Sequence, residues 1–168
     1  GSFYFMEMNP RLQVEHPVSE MVTGIDIVKW QIRIAAGVPL DFTQESVVIS
    51  GHSIECRINA EDPENGFRPS CGRIGMLHIP GGPWVRFDTA VYQGYAVPPY
   101  YDSMIGKLIV CARTRDEAIR KMKAALCELI IEGVASNADF QSALLARPEF
   151  EDASYTTDFL EGLSAAAK

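Results

Sequence analysis

The chain has 168 residues, 47% of them hydrophobic and 22% charged, with a formal net charge of −7. No apolar run approaches the roughly 20 residues that a membrane-spanning helix needs, which argues against a membrane role. The acidic balance argues against nucleic acid, because binding a phosphate backbone needs a surplus of Lys and Arg on one face.

Cys56, Cys71, Cys111 and Cys127 show neither C-x-x-C spacing nor the density of a disulfide scaffold, so free thiols in a reducing cytosol are expected. The opening "GSFYFMEMN" carries no basic or signal-length apolar region. Gly1 and Ser2 read as a cloning remnant, and the chain as a piece of something longer.

In chain order, residues 3–8 alternate large apolar side chains and predict a buried strand that Pro10 ends. Thr23 with Asp26 resembles a capping box. Ile25, Val28, Ile32 and Ala35 follow at helical spacing and Gly37 supplies a stop, so a helix is expected over 24–36. The alternation of Ile54, Cys56 and Ile58 with Glu55, Arg57 and Asn59 predicts a strand with one charged face.

The Pro- and Gly-rich stretch 62–100 predicts short strands near 73–79, 84–88 and 95–97, and 106–113 a further strand. The best helical pattern follows Thr114, with Ala118, Met122, Ala125 and Leu129 on one face and Gly133 as a stop. Short helices are expected over 137–146 and 156–162, the latter opened by Thr156 or Thr157. Short strands with segregated helices make the class α+β, and a break near 40–50 separates a small N-terminal piece from a larger C-terminal unit.

The chemistry concentrates in "MEMNPRLQVEH", residues 6–16. In an extended chain Glu7 and Asn9 point the same way about 7 Å apart, and their oxygens suit a hard cation such as Mg²⁺ or Mn²⁺. An unbroken strand would set Glu7 and Glu15 about 26 Å apart, too far for one small-molecule site, so a bend is expected at Pro10. The loop beyond it offers the planar fork of Arg11, the amide of Gln13, backbone groups around Val14, and Glu15 as a base: a cradle for a planar oxyanion such as bicarbonate. Taken singly, each of these residues also suits a surface ion pair or cap.

"FYFMEMNPRLQVEHPVSE" closely resembles the last active-site segment of biotin carboxylases, members of the ATP-grasp superfamily. The resemblance continues through "IRIAAG", "GHSIECRINAEDP", "PGGPWVRFD", "VPPYYDSMIGKLIV" and "ELIIEGVASN", from residue 3 to about 162. It implies the last strand, loop and helix of an ATP-grasp domain over 3–48. A biotin carboxylase C-terminal domain, a small antiparallel sheet with flanking helices, would follow over 49–163, with a tail at 164–168.

The resemblance also implies roles. Glu7 and Asn9 would help bind the Mg²⁺ or Mn²⁺ that accompanies ATP. Arg11, Gln13, Val14 and Glu15 would hold bicarbonate and Glu15 would deprotonate it, with Arg57 contacting bicarbonate and biotin. The implied reaction runs through carboxyphosphate to CO₂ and phosphate; phosphate then removes the N1 proton of biotin, and Arg57 steadies the negative charge on the ureido oxygen.

Implied partners are the biotin carboxyl carrier protein, carboxyltransferase subunits and a second copy in a homodimer, and the implied location is the cytoplasm. No glycine-rich phosphate loop precedes a helix here, so the chain is expected to hold half a site and to be inert alone. Its ending soon after "DFLEGL" favours a bacterial acetyl-CoA carboxylase subunit as parent, with pyruvate and propionyl-CoA carboxylases as alternatives. A non-catalytic dimerisation or carrier-docking module is the other reading. His16 is expected to orient its neighbours or to bond structurally, Arg86 to lie in a subunit contact or on a surface strand, and "VPPYYDSMIGK" to form a packed wall near the biotin side.

Overall fold

The computed structural model describes residues 2–160. Residues 2–10 form no strand, contrary to expectation, and the side chains of Phe3, Tyr4, Phe5, Met6 and Met8 are exposed. The physical reason is that a strand is defined by its ladder, and no described strand lies alongside to take those hydrogen bonds.

The first regular element is a helix that the periodicity did not announce, α1 (His16–Thr23). Pro17 opens it, and Gly24, at φ 72°, closes it with its N–H on Glu20 O. Thr23 therefore sits in the last turn of α1, where its hydroxyl donates to Ser19 O, and cannot cap the next helix. That cap is Asp26, whose Oδ1 accepts from Lys29 N at 2.7 Å, so α2 spans Ile27–Ala35. None of its residues is buried.

Between residues 36 and 51 the only regular structure is a 3₁₀ turn, Gln44–Ser46. There follow β1 (His52–Asn59), β2 (Glu61–Asp62), β3 (Arg68–Pro69), β4 (Gly72–Arg73), β5 (Leu77–His78), β6 (Val85–Asp88), β7 (Ala96–Val97) and β8 (Met104–Ala112). Then come α3 (Arg115–Glu128), β9 (Ile130–Ile131), α4 (Ala138–Leu145) and α5 (Pro148–Glu151). The strand expected over 73–79 is thus two short pieces. Of the helix expected over 156–162, residues 161 and 162 lie outside the described residues; within them Phe159 N donates to Thr156 O. The tail at 164–168 also lies outside.

The main sheet is antiparallel in the order β1-β8-β6. Register assigns its two faces. Cys56 pairs with Leu108 and Ile54 with Val110, while Phe87 and Val85 sit opposite those same two residues on the other side of β8. That face meets Met122, Ala125, Leu126 and Leu129 of α3 and forms the core. Thr114 Oγ1 caps α3 by accepting from Glu117 N. Phe87 fits over Gly106, where an added Cβ would fall 2.5 Å from its ring.

The opposite face carries Glu55, Arg57, Lys107, Ile109, Arg86 and Asp88, and α1 lies against it. Although α1 precedes the break in sequence, it packs on the C-terminal sheet. The α+β class is what the structure shows.

Candidate functional site

Pro10 does bend the chain: Arg11 N donates to Asn9 O at 2.8 Å across a tight turn. Beyond it the loop folds onto the charged face of the sheet. Arg57, reached from 42 residues further along, donates to Glu15 Oε2 at 3.0 Å. Both side chains stay half exposed, at 52% and 54%, so the pair is accessible to a ligand and weak as a stabilising contact.

Arg11 bridges the remaining loop residues, with Nη1 on Gln13 Oε1 at 3.1 Å and Nη2 on Asn9 Oδ1 at 3.4 Å. His16 Nδ1 lies 2.7 Å from Gln13 O, which gives that ring an orienting contact. Val14 contributes through its backbone: its carbonyl accepts from Lys107 Nζ at 2.8 Å. The structure thus joins Val14 and Glu15 to Lys107 and Arg57 on the sheet face, while Arg11 and Gln13 bond to each other and, among the described residues, reach neither Arg57 nor Lys107 by a hydrogen bond.

Glu7 and Asn9 stand apart from it. Asn9 Nδ2 lies 3.4 Å from Glu7 Oε1, and among the described residues no hydrogen bond ties either to the sheet. The two side chains do converge, and turning over the Asn9 amide, which requires Arg11 to release Oδ1, would place two oxygens near one point. They fit as a partial ligand set for a hard cation, whose other ligands would come from elsewhere. Among the described residues no group of three or more His, Cys, Asp or Glu could hold a metal alone.

Beneath the loop, Arg86 of β6 donates from Nε and Nη2 to both oxygens of Asp88 and from Nη1 to Glu20 of α1, all at 2.7 Å. The bond from Arg86 holds the Asp88 carboxyl below its ordinary range and raises the guanidinium. Arg86 is thus engaged within the chain and fastens α1 to the sheet.

Sequence reasoning missed Lys107 and Asn137. Asn137 is 5% exposed. Its Oδ1 accepts from Asn59 N at 2.9 Å, and its Nδ2 donates to Arg57 O at 3.1 Å. It was legible only as a cap-type residue at the start of the helix expected over 137–146. The expectation for "VPPYYDSMIGK" also fails in part: Tyr100 and Tyr101 are 84% and 83% exposed and form no packed wall. Within the segment Val97 is buried in the core, residues 99–102 are exposed, and continuous burial resumes at Ile105.

Glu55, two residues before Arg57, has both carboxylate oxygens out of reach of solvent and without a hydrogen-bond partner. Burial raises its pKa above the ordinary 4.5, against the opposing pull of Lys107 and Arg57. The folded state therefore keeps this proton to higher pH than the unfolded chain does, and stability is lost as pH rises through the folded pKa. Glu55→Gln is expected to raise the melting temperature by about 1–3 °C at pH 8, with the gain shrinking toward pH 5. Thermal melts across that range check it, and a pH-independent effect would refute it.

A small α+β domain whose charged sheet face is closed by a loop of carboxylate, amide and guanidinium groups is what the fold and site define. Residues 55–162 match the biotin carboxylase C-terminal domain, and residues 1–43 match the carbamoyl-phosphate synthase L chain, ATP binding domain. The chain belongs to the biotin carboxylase family.

It is 53% identical over 161 residues to a biotin carboxylase of Haemophilus influenzae, covering 96% of this chain and 36% of that protein. The biotin carboxylase domain dimer of Hydrogenobacter thermophilus 2-oxoglutarate carboxylase, in complex with MgADP, ADP and bicarbonate, superposes with a TM-score of 0.93 at 50% identity, covering 96% of this chain and 36% of that one. A biotin carboxylase subunit of pyruvate carboxylase gives 0.94 at 50% identity, covering all of this chain and 37% of that one. The chain spans about a third of the length of the curated relatives it matches, 30% to 37% in those compared. No helix among the described residues is long and apolar enough to cross a membrane.

Proposed function

We propose that this chain is the C-terminal part of a biotin carboxylase, which carboxylates biotin on its carrier protein with ATP and bicarbonate. The observation that carries the reading is the Arg57–Glu15 contact at 3.0 Å, which sets a cation and a base side by side at the mouth of the loop. Arg11 and Gln13 bind the planar anion. Glu15 takes its proton and makes it a nucleophile toward the γ-phosphate. Once biotin is in place, Arg57 stabilises the charge that develops on the ureido oxygen.

Glu7 and Asn9 would hold Mg²⁺ or Mn²⁺, which supplies charge neutralisation at the ATP phosphates. In this reading residues 3–48 end an ATP-grasp domain and 49–163 form the C-terminal domain. The working form is a cytoplasmic homodimer that meets the biotin carboxyl carrier protein and carboxyltransferase subunits. Acetyl-CoA carboxylase, and so fatty acid synthesis, is the first parent to test, before pyruvate or propionyl-CoA carboxylase; acceptor-dependent turnover of the complete native protein with each acceptor distinguishes them.

Alone, the chain is expected to hydrolyse no ATP in response to bicarbonate and free biotin, because the groups that would grip the phosphates are not in it. Phosphate release from the purified chain, compared with the complete native protein, measures this. Robust bicarbonate-dependent release from the chain alone would overturn the half-site reading. A non-catalytic dimerisation or carrier-docking module remains the second reading, and a complete protein that binds biotinylated carrier but never carboxylates it would favour that one.

A further inference from the structure

Register places Arg57, Lys107 and Asp88 in a single rung across the three strands, on the face that the loop covers. Arg57 and Lys107 are direct cross-strand partners, and two cations so placed repel unless anionic or dipolar groups meet them. Glu15 meets Arg57 at 3.0 Å. Lys107 Nζ finds Asp88 at 3.8 Å and, more closely, Val14 O at 2.8 Å.

The two cations differ in freedom. The Arg57 side chain is 52% exposed and can turn toward a bound ligand, whereas that of Lys107 is 12% exposed and its ammonium is committed to the loop backbone. A trans peptide sends its C=O and N–H in opposite directions. By drawing the Val14 carbonyl toward the sheet, Lys107 turns the N–H of Glu15 away from it. Among the described residues that N–H donates to no protein group.

We propose that Lys107 is a positioning residue of the bicarbonate cradle: its grip on Val14 O fixes the Val14–Glu15 peptide, and so the place of the Glu15 base relative to Arg57. This rests on the proposed function of the same site. The ammonium touches no substrate; it acts through the loop.

The test uses the complete native polypeptide carrying Lys107→Met or Lys107→Arg. Small displacements of a reacting group carry large kinetic penalties, so Lys107→Met is expected to raise the KM for bicarbonate about tenfold with the KM for ATP within about twofold. Lys107→Arg, which retains donors, returns the bicarbonate KM to within about threefold of wild type. Amide hydrogen exchange on the same proteins is expected to quicken across residues 13–18 in the Met variant and to stay unchanged in β1 and α3.

An unchanged bicarbonate KM overturns the proposal, even if exchange quickens. So does a uniform rise in all substrate KM values with exchange quickened everywhere, which marks a structural role only. If Lys107→Met does not fold, Lys107→Ala, which likewise has no side-chain donor, carries the same comparison. Wild-type protein without bicarbonate-dependent carboxylation overturns the proposed function instead, and unchanged exchange at 13–18 would then reject the anchor separately.

Discussion

Replacing Arg57 with methionine in the complete native enzyme is expected to lower kcat for biotin carboxylation about 10²–10³-fold, the usual loss when one donor to a developing oxyanion is removed. The KM for ATP should move little, because Arg57 lies on β1 beside the anion loop and among the described residues pairs only with Glu15 through its side chain. Methionine keeps most of the stem's bulk, so packing on the sheet changes little. Lysine should recover only part of the rate: it restores the charge but not the planar fork that matches carboxylate geometry. Steady-state kinetics with bicarbonate, ATP and biotin varied in turn provide the check. A kcat within threefold of wild type would remove Arg57 from the mechanism.

The second large effect is on stability. Asn137→Ala is expected to destabilise the fold by about 2–4 kcal/mol, because it strips partners from two backbone groups of β1 in a half-buried setting. β1 is an edge strand of the order β1-β8-β6, and its register with β8 shifts between Ile58 and Asn59. There the ladder cannot serve Asn59 N and Arg57 O on the free edge, and the side chain of Asn137 serves both. Since one of those groups belongs to Arg57 itself, the substitution should also weaken bicarbonate-dependent turnover beyond what the lost stability explains. Denaturant titration gives the first quantity, and a loss below about 1 kcal/mol would contradict the account.

The parts of the fold that were legible in the sequence are those whose cause is local. The alternation over residues 54–59, the strand expected over 106–113 and the 3.6-residue period after Thr114 correspond to β1, β8 and α3, because in each the buried residues follow one another closely along the chain. Residues 3–8 had the same alternation and formed no strand, since periodicity can propose a strand but only a neighbouring strand can complete one. α1 escaped notice because it is eight residues long and only Pro17 within it is buried, although proline at its start and Gly24 at its end were a readable pair of signals.

For the site, the bend at Pro10 and the grouping of Gln13, Val14 and Glu15 followed from chain geometry, and Arg57 was named through resemblance. Lys107 was out of reach of either route. Its partner is a backbone carbonyl 93 residues away, and no side-chain motif encodes a contact with a carbonyl.

The seating of α1 on the C-terminal sheet has a mechanical consequence. Loop 13–15 is moored at Val14 and Glu15, and five residues later α1 is moored again by Glu20 to Arg86. If the nucleotide-binding part of the enzyme rocks against this domain during turnover, base, anion and Arg57 ride together as passengers of one rigid body. In the proposed reaction the coordinate that varies is then the approach of the γ-phosphate to the loop, and residues 2–10 make no ladder with the rest of the described chain.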